Sequence, residues 1–383
     1  MTAELIGQLT FIIVILCSSI ISAAFMMFSP VAESTNAKIV TRYFSLFFFL
    51  TCFAFCFYLF RPFIPELLSI LIANLFFLGN LYALKFGLHW RISQYHHIHQ
   101  CPKAITHISI FVVSQVGLYL FLDDSQLARS TNHALNSIYI LATSLTIIWH
   151  DKTRPPTFGE KSLKIAVYFA IMCFVTVPIA YVYIPNNYQY MSVLLLLQVL
   201  SVLMMMGGLQ SLLMSDTINQ HYELSIRDPL TGIYNRRYFF DKVKDCHMDF
   251  DKEPHSIIMC DIDFFKRIND NYGHDIGDLV IVEIATLITR HTGELGIAAR
   301  FGGEEFTILL HNHGLKKGLD FAEELRHLVR AIRVNTHKGQ IRVTASFGVA
   351  EVWDIPDIDL TIKLADQALL AAKANGRNQV CAG

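Results

Sequence analysis

GIAARFGGEEFTILLH, residues 296–311, reads as two apolar strands around an interruption, Gly302-Gly303-Glu304-Glu305. Glycine is poor strand material, so the pair marks the bend of a hairpin. The adjacent glutamates repel each other unless something positive lies near them. Outward from the hairpin the periodicity alternates. SIIMCDID (256–263) is a buried-type strand running into acids, FKRINDNYG (265–273) a short helix, and GDLVIVEIATLITRH (277–291) a longer helix with an apolar face. On the other side, GLDFAEELRHLVRAIRV (318–334) reads as an amphipathic helix and IRVTASFGVAEV (341–352) as a strand. DLTIKLADQALLAAKANG (359–376) reads as a final helix stopped by Gly376. Helices over a largely antiparallel sheet make an α+β domain.

The rest of the chain is different. Of 383 residues, 53% are hydrophobic and only 16% charged, with 29 Phe, whereas a soluble domain is about a quarter charged. The apolar excess lies before about residue 214, in seven expected spans near 6–28, 43–60, 66–87, 104–122, 132–149, 163–184 and 190–213. Alternate loops carry Lys38, Arg42, Lys85, Arg91, Lys103, Lys152, Arg154, Lys161 and Lys164, and the opposite side only Arg61 and Arg129. The positive-inside rule then sets the N-terminus outside and the C-terminal half in the cytoplasm. The first span follows Glu4 and has no positive n-region, unlike a cleaved signal peptide. The expected organisation is an α-helical multi-span membrane domain over 1–213, a helical connector over 214–226 and the α+β domain over 227–383. In the connector Met214, Ile218, Tyr222 and Leu224 recur at roughly helical spacing, fit to pair two subunits and carry motion inward.

Several functions find no support. Net charge is -1, and no basic cluster interleaves with aromatics, so nucleic acid is not an expected partner. The eight Cys form no CxxC pair and read as apolar filler. No span carries a row of charges that would signal transport. YHHIHQC (95–101) places His96, His97, His99 and Cys101 together: a metal or pH-responsive site, or an interfacial loop of solvated histidines. His107, His133 and His150 lie near helix ends, where haem ligation is a further reading. Pro178 falls inside the sixth span, where it would kink the helix.

The carboxylates of the α+β domain are better organised. Asp261 and Asp263, two apart in a strand, share one face at its end. Glu304 and Glu305, adjacent in a strand, point to opposite faces, so one can join Asp261 around a cation. Clustered carboxylates at strand ends suit a hard ion such as Mg²⁺ shared with phosphates; solvated strand ends are the plainer reading of either acid alone. Lys266 lies one helical turn beyond Asp261. Lys373 and Arg377, at i and i+4 of the last helix, can hold phosphate oxygens or simply complement the helix dipole.

RDPLTGIYNRRYF (227–239), DIDFFKRINDNYGHDIGD (261–278), RFGGEEF (300–306), TASFGVA (344–350) and ADQALLAAKANGRNQV (365–380) together resemble the GGDEF domain of bacterial diguanylate cyclases. The resemblance covers about 155 residues and leaves out the membrane half, which is similar to the family's varied sensor regions. It implies a cyclase palm on a ferredoxin-like sheet and condensation of two GTP into cyclic di-GMP with release of two pyrophosphates. Mg²⁺, with Mn²⁺ as a substitute, would be ligated by Asp261, Glu304 and the Ile262 carbonyl. Lys266, Lys373 and Arg377 would hold phosphates, Asn269 and Asp278 would read guanine, and Gly303 would let substrate approach the backbone. Asp261, Glu304 and Glu305 form the implied catalytic set, Glu304 assisting deprotonation. One GTP per subunit implies a homodimer, set in the lipid of the bacterial inner membrane and controlled by an unknown sensory ligand. The competing reading is a degenerate domain that serves as a GTP or cyclic di-GMP receptor. Two positions depart from the family: GELG (293–296) stands where an Arg-x-x-Asp product site is common, and Leu370 where Tyr is usual.

Overall fold

The computed structural model describes residues 3–29, 35–59, 63–92, 100–122, 126–148, 154–184, 186–245, 254–336, 339–352 and 358–383. They fall into two compact units, Met1–Gln220 and His221–Gly383. His96, His97, His99 and His150, with the loop cations Arg61 and Lys152, lie outside the described residues.

The first unit is helical: α1 (Ala3–Met27), α2 (Thr35–Leu59), α3 (Glu66–Ile92), α4 (Gln100–Phe121), α5 (Gln126–Ile148), α6 (Phe158–Tyr183) and α7 (Asn187–Ile226). Among the described residues six of these are long and apolar enough to cross a membrane. The fifth expected span forms α5, but its first half, QLARSTNHALN, keeps it out of that set. Pro178 lies within α6, which continues to Tyr183. Connector residues 214–226 belong to the same helix as the last span. Phe44, Phe48 and Phe111 are buried in the main core of this unit.

At one end of this bundle a charged network is buried. Glu160, fully buried in the first turn of α6, closes a capping box with Thr157. Its carboxylate accepts from Arg154 at 2.7 Å and from Arg91 at 3.0 Å. Arg91 also forks onto both oxygens of Asp216 in α7, at 2.6 and 2.7 Å. The Gly159 N–H donates to Ser215 Oγ at 3.0 Å. Every strong donor here has an acceptor, which a buried charge requires.

The second unit holds a six-stranded sheet in the order β1-β3-β4-β2-β7-β8. The strands are β1 (Tyr234–Asn235), β2 (His255–Ile262), β3 (Gly296–Gly302), β4 (Glu305–Leu310), β7 (Ala345–Val352) and β8 (Val380–Ala382). The four central strands pair antiparallel, and the edge strands β1 and β8 pair parallel to β3 and β7. With α9 (Phe265–Tyr272), α10 (His274–Thr292) and α11 (Leu315–Ala331) between strands, this is the β-α-β-β-α-β arrangement of ferredoxin-like folds.

Strand β2 is buried at every position because helices cover both faces of the sheet. Its Ile258, Cys260 and Ile262 point to the core shared with α10 and α11. Ile257 and Met259 point to the other core, with α8 (Arg236–Asp245) and α12 (Ile358–Ala374). The two-residue alternation therefore places Asp261 on the α12 face. That helix lies close against β7: a Cβ on Gly348 would fall 2.0 Å from the Ala365 carbonyl oxygen.

Two expected elements differ. The single strand over 341–352 is broken: β6 (Gly339–Arg342) pairs with β5 (Arg333–Thr336) in a separate hairpin, and β7 starts at Ala345. The helix expected over 318–334 stops at Ala331, because Val334 is buried as a strand residue opposite Ile341.

Candidate functional site

The hairpin register brings the acids together. Asp261, at the end of β2, is 7% exposed and pairs across the sheet with Glu305, the first residue of β4. Glu304 is not in a strand, contrary to expectation: it shares the turn with Gly303, which takes φ +52. A left-handed φ is natural for glycine, and it releases the hairpin from the alternation that would have sent the two glutamates to opposite faces. The Ile262 N–H approaches the Glu304 carbonyl at 3.4 Å, holding the turn against the end of β2.

Lys373 comes from the last turn of α12 and lies 2.7 Å from Asp261 Oδ2. Burial pushes the Asp261 carboxyl up, and the Glu304 and Glu305 charges push the same way. Lys373 opposes them, and the balance is about 6. At neutral pH the group is thus ionised, consistent with the ion pair. Two carboxylates beside an ionised Asp261 make a site short of positive charge. Among the described residues no cluster of three or more His, Cys, Asp or Glu side chains could hold a metal ion. The metal set expected from the sequence, Asp261 and Glu304 with the Ile262 carbonyl, has only two such side chains and is not such a cluster.

A second layer of residues fixes this geometry, and sequence reasoning assigned it no role. Arg300 donates to the Gly303 carbonyl from Nε at 2.9 Å and Nη2 at 2.7 Å. Its Nη1 bonds Asp228 Oδ1 at 2.9 Å. Asp228 in turn accepts from the Thr231 N–H and hydroxyl, at 2.9 and 2.7 Å. Burial would raise the Asp228 carboxyl, but the bonds from Thr231 and Arg300 hold it below the usual aspartate range. The only signal for this pair was that RDPLTG and RFGGEEF occur together; their partnership spans 72 positions.

Asp263, expected to share the cluster with Asp261, has a different task. It lies just beyond β2, 4% exposed, and accepts from Thr344 Oγ1, Ser346 Oγ and the Asn378 N–H at 2.7, 2.7 and 2.9 Å. These bonds tie together β2, β7 and the turn after α12. Arg377 is not on the last helix with Lys373, because α12 ends at Ala374 and Gly376 turns the chain at φ +115. Its guanidinium lies instead over the Phe264 ring, 4.4 Å from the centroid. Phe264 and Arg377 both take left-handed φ values, 55° and 63°. Such strain collects at functional turns.

Lys266 is exposed on the first turn of α9. Asn269 follows one turn later, its Oδ1 buried without a hydrogen-bond partner, and Asp278 lies in α10. No described hydrogen bond or ion pair links these three to the carboxylates. Leu370 is 57% exposed on α12, so the departure from Tyr there removes nothing from the core.

Residues 225–379 match the family model described as diguanylate cyclase, GGDEF domain. This part of the chain is a GGDEF domain. It is similar to diguanylate cyclase A of Treponema denticola, 37% identical over 42% of this chain and 45% of that one. It is also similar to the response regulator PleD of Caulobacter vibrioides, 35% identical over 43% of this chain and 37% of that one. The chain thus spans less than half the length of these curated relatives. Among solved structures, the coiled coil and GGDEF domain of DgcB from Caulobacter crescentus, in complex with c-di-GMP, aligns at 30% identity. That alignment covers 43% of this chain and 90% of that one, with a TM-score of 0.41.

Proposed function

We propose that the chain is a membrane-tethered diguanylate cyclase, condensing two GTP into cyclic di-GMP and two pyrophosphates under control of its N-terminal half. The observation that carries this is the meeting of Asp261, Glu304, Glu305 and Lys373 at one sheet end of a GGDEF domain. In each half-reaction the 3'-oxygen of one GTP bonds to the α-phosphorus of the other and pyrophosphate leaves. Glu304 accepts the hydroxyl proton. Lys373, Lys266 and Arg377 hold phosphate oxygens, the first from the position where it now meets Asp261. Bound Mg²⁺, or Mn²⁺ in its place, supplies positive charge that lowers the hydroxyl's pKa and offsets charge on the phosphates.

Guanine recognition falls to Asn269 and Asp278. Guanine presents two adjacent N–H donors that a carboxylate accepts together, and adenine leaves that carboxylate unmatched. Asn269 Oδ1 lies buried against Gly277 without a hydrogen-bond partner, so guanine would have to meet the outer part of this side chain. With one GTP per subunit, a homodimer about a two-fold axis brings the two substrates face to face. Met214, Ile218 and Tyr222, each more than half exposed at four-residue spacing on α7, support pairing of that helix with its copy. The loop cations support a GGDEF domain on the cytoplasmic side of a bacterial inner membrane.

Product feedback through residues 293–296 is absent in this reading. Gly293–Leu295 form one 3₁₀ turn, and a Cβ on Gly296 would meet the Leu309 carbonyl oxygen at 1.9 Å, so an aspartate is not accommodated. Purified full-length protein given GTP and Mg²⁺ should form cyclic di-GMP, leave ATP unused and keep its rate as product accumulates to micromolar levels. GTP binding without turnover would favour the receptor reading, and inhibition relieved by changes at 293–296 would overturn the feedback claim.

A further inference from the structure

The helical unit contains a cavity of about 290 Å³ at the bundle end opposite the Glu160 network. It is lined by the first parts of α3, α5 and α7 and the later parts of α2 and α6. One wall is aromatic, from Phe55, Phe77 and Phe174. The His133 ring joins it, edge-on to Phe77 and Phe174 with centroids 5.9 and 5.8 Å apart, and its Nδ1 has no hydrogen-bond partner. Ser130 and Gln198 add polar groups. Mostly apolar walls with a few convergent polar groups are what a small-molecule site requires.

Charge narrows the ligand. Among the described lining residues Arg129 is the one with a permanent charge, and none is a carboxylate. Its guanidinium sits 5.0 Å over the Tyr119 ring, and its side chain is 12% exposed. Its Nη2 is ion-paired with Glu66 Oε1 at 3.7 Å, beyond hydrogen-bonding distance, and Glu66 is half exposed and not among the described lining residues. Because the Glu66 ion pair is too long for a hydrogen bond, the guanidinium N–H groups keep room for a ligand's anion at shorter range. A cavity of ~150 Å³ suffices for benzene, so this one admits a ring with a short acidic tail.

We infer that this cavity binds a small monoanionic apolar molecule, an aromatic ring or short alkyl body ending in a carboxylate, with Arg129 on the carboxylate and the aromatic wall around the body. The inference goes beyond the cyclase reading and does not depend on it. It also gives the helical unit an input at one end while the Glu160 network grips α7 at the other.

Thermal unfolding of the purified full-length protein in neutral detergent tests it without any activity readout. 3-Phenylpropionate should raise the Tm saturably, 3-phenylpropanol less, and phenethylamine not at all. Arg129→Gln should weaken the acid by about tenfold or more, the loss expected for one charge-assisted bond. Ser130→Trp, which fills the cavity, should abolish the shift while leaving the unliganded protein folded. If Arg129→Gln does not fold, Arg129→Lys serves: it keeps the charge and should retain part of the response. Equal shifts from acid, alcohol and amine, an undiminished shift in the Arg129 variant, or no shift from any probe would each overturn the inference. A matching shift from added phosphatidylglycerol would reassign the cavity to lipid and overturn it likewise.

Discussion

Asp228 and Arg300 touch none of the proposed reacting atoms, yet they hold the carbonyl around which the signature turn is built. Arg300→Ala should therefore lower kcat with little change in GTP affinity, while Asp228→Asn should cost about 1–3 kcal/mol by leaving a buried arginine poorly paired. The pH dependence has a defined sign. Asp228 sits below its ordinary 3.8 in the fold, so its stabilisation is complete above that value and lost as pH falls through the folded pKa. Urea midpoints measured from pH 7 to 3 should fall at the acid end for the wild type and less steeply for Asp228→Asn. At this scale spacing offered Asp261, Glu304, Lys373 and Arg377 as candidates for phosphate chemistry, but it set Arg377 on a helix that ends at Ala374. Their partners were not legible. Asp263 looked equivalent to Asp261 by strand alternation, but β2 ends between them, and Thr344, Ser346 and Asn378 claim its oxygens from more than 80 positions away.

Helix α12 delivers Lys373, and its position depends on one missing side chain. With Gly348 replaced by valine, the new Cβ falls 2.0 Å from the Ala365 carbonyl oxygen and 2.3 Å from the Leu369 nitrogen. The helix must then lift, at about 1–3 kcal/mol, and Lys373 must withdraw from Asp261. Gly348→Val should lose cyclase activity well before it loses the fold, as circular dichroism and turnover measured together will show. In the helical unit, Glu160→Ala takes one acceptor from buried Arg91, which keeps Asp216, and one from the more exposed Arg154, and should cost about 1–3 kcal/mol, seen as a lower Tm in detergent. Sequence periodicity found most elements because β2, β4 and α10 carry unbroken apolar patterns. It missed the break before Ala345 because Val343 and Thr344 continue the strand composition, and only pairing of β6 with β5 separates the segments.

At the scale of the molecule, composition alone separated a lipid-compatible half from a mixed α+β half, and the six apolar helices and the GGDEF match follow that division. Length and apolarity also explain the one expected span outside that set, since α5 is helical but carries polar residues through its first half. What no sequence pattern showed is the pair of devices inside the helical unit, a ligand-sized cavity and a buried charge network, because both are assembled from distant helices. The central claim is that the clustered acids at the hairpin perform catalysis. It is tested most directly by comparing wild type and Glu304→Ala, both full-length, for cyclic di-GMP formed from GTP and Mg²⁺ at concentrations where the protein is dimeric. The account predicts product from the wild type and a loss of at least about a hundredfold in the variant, the scale of one general base. Equal rates from both, or no product from a dimeric wild type, would contradict it.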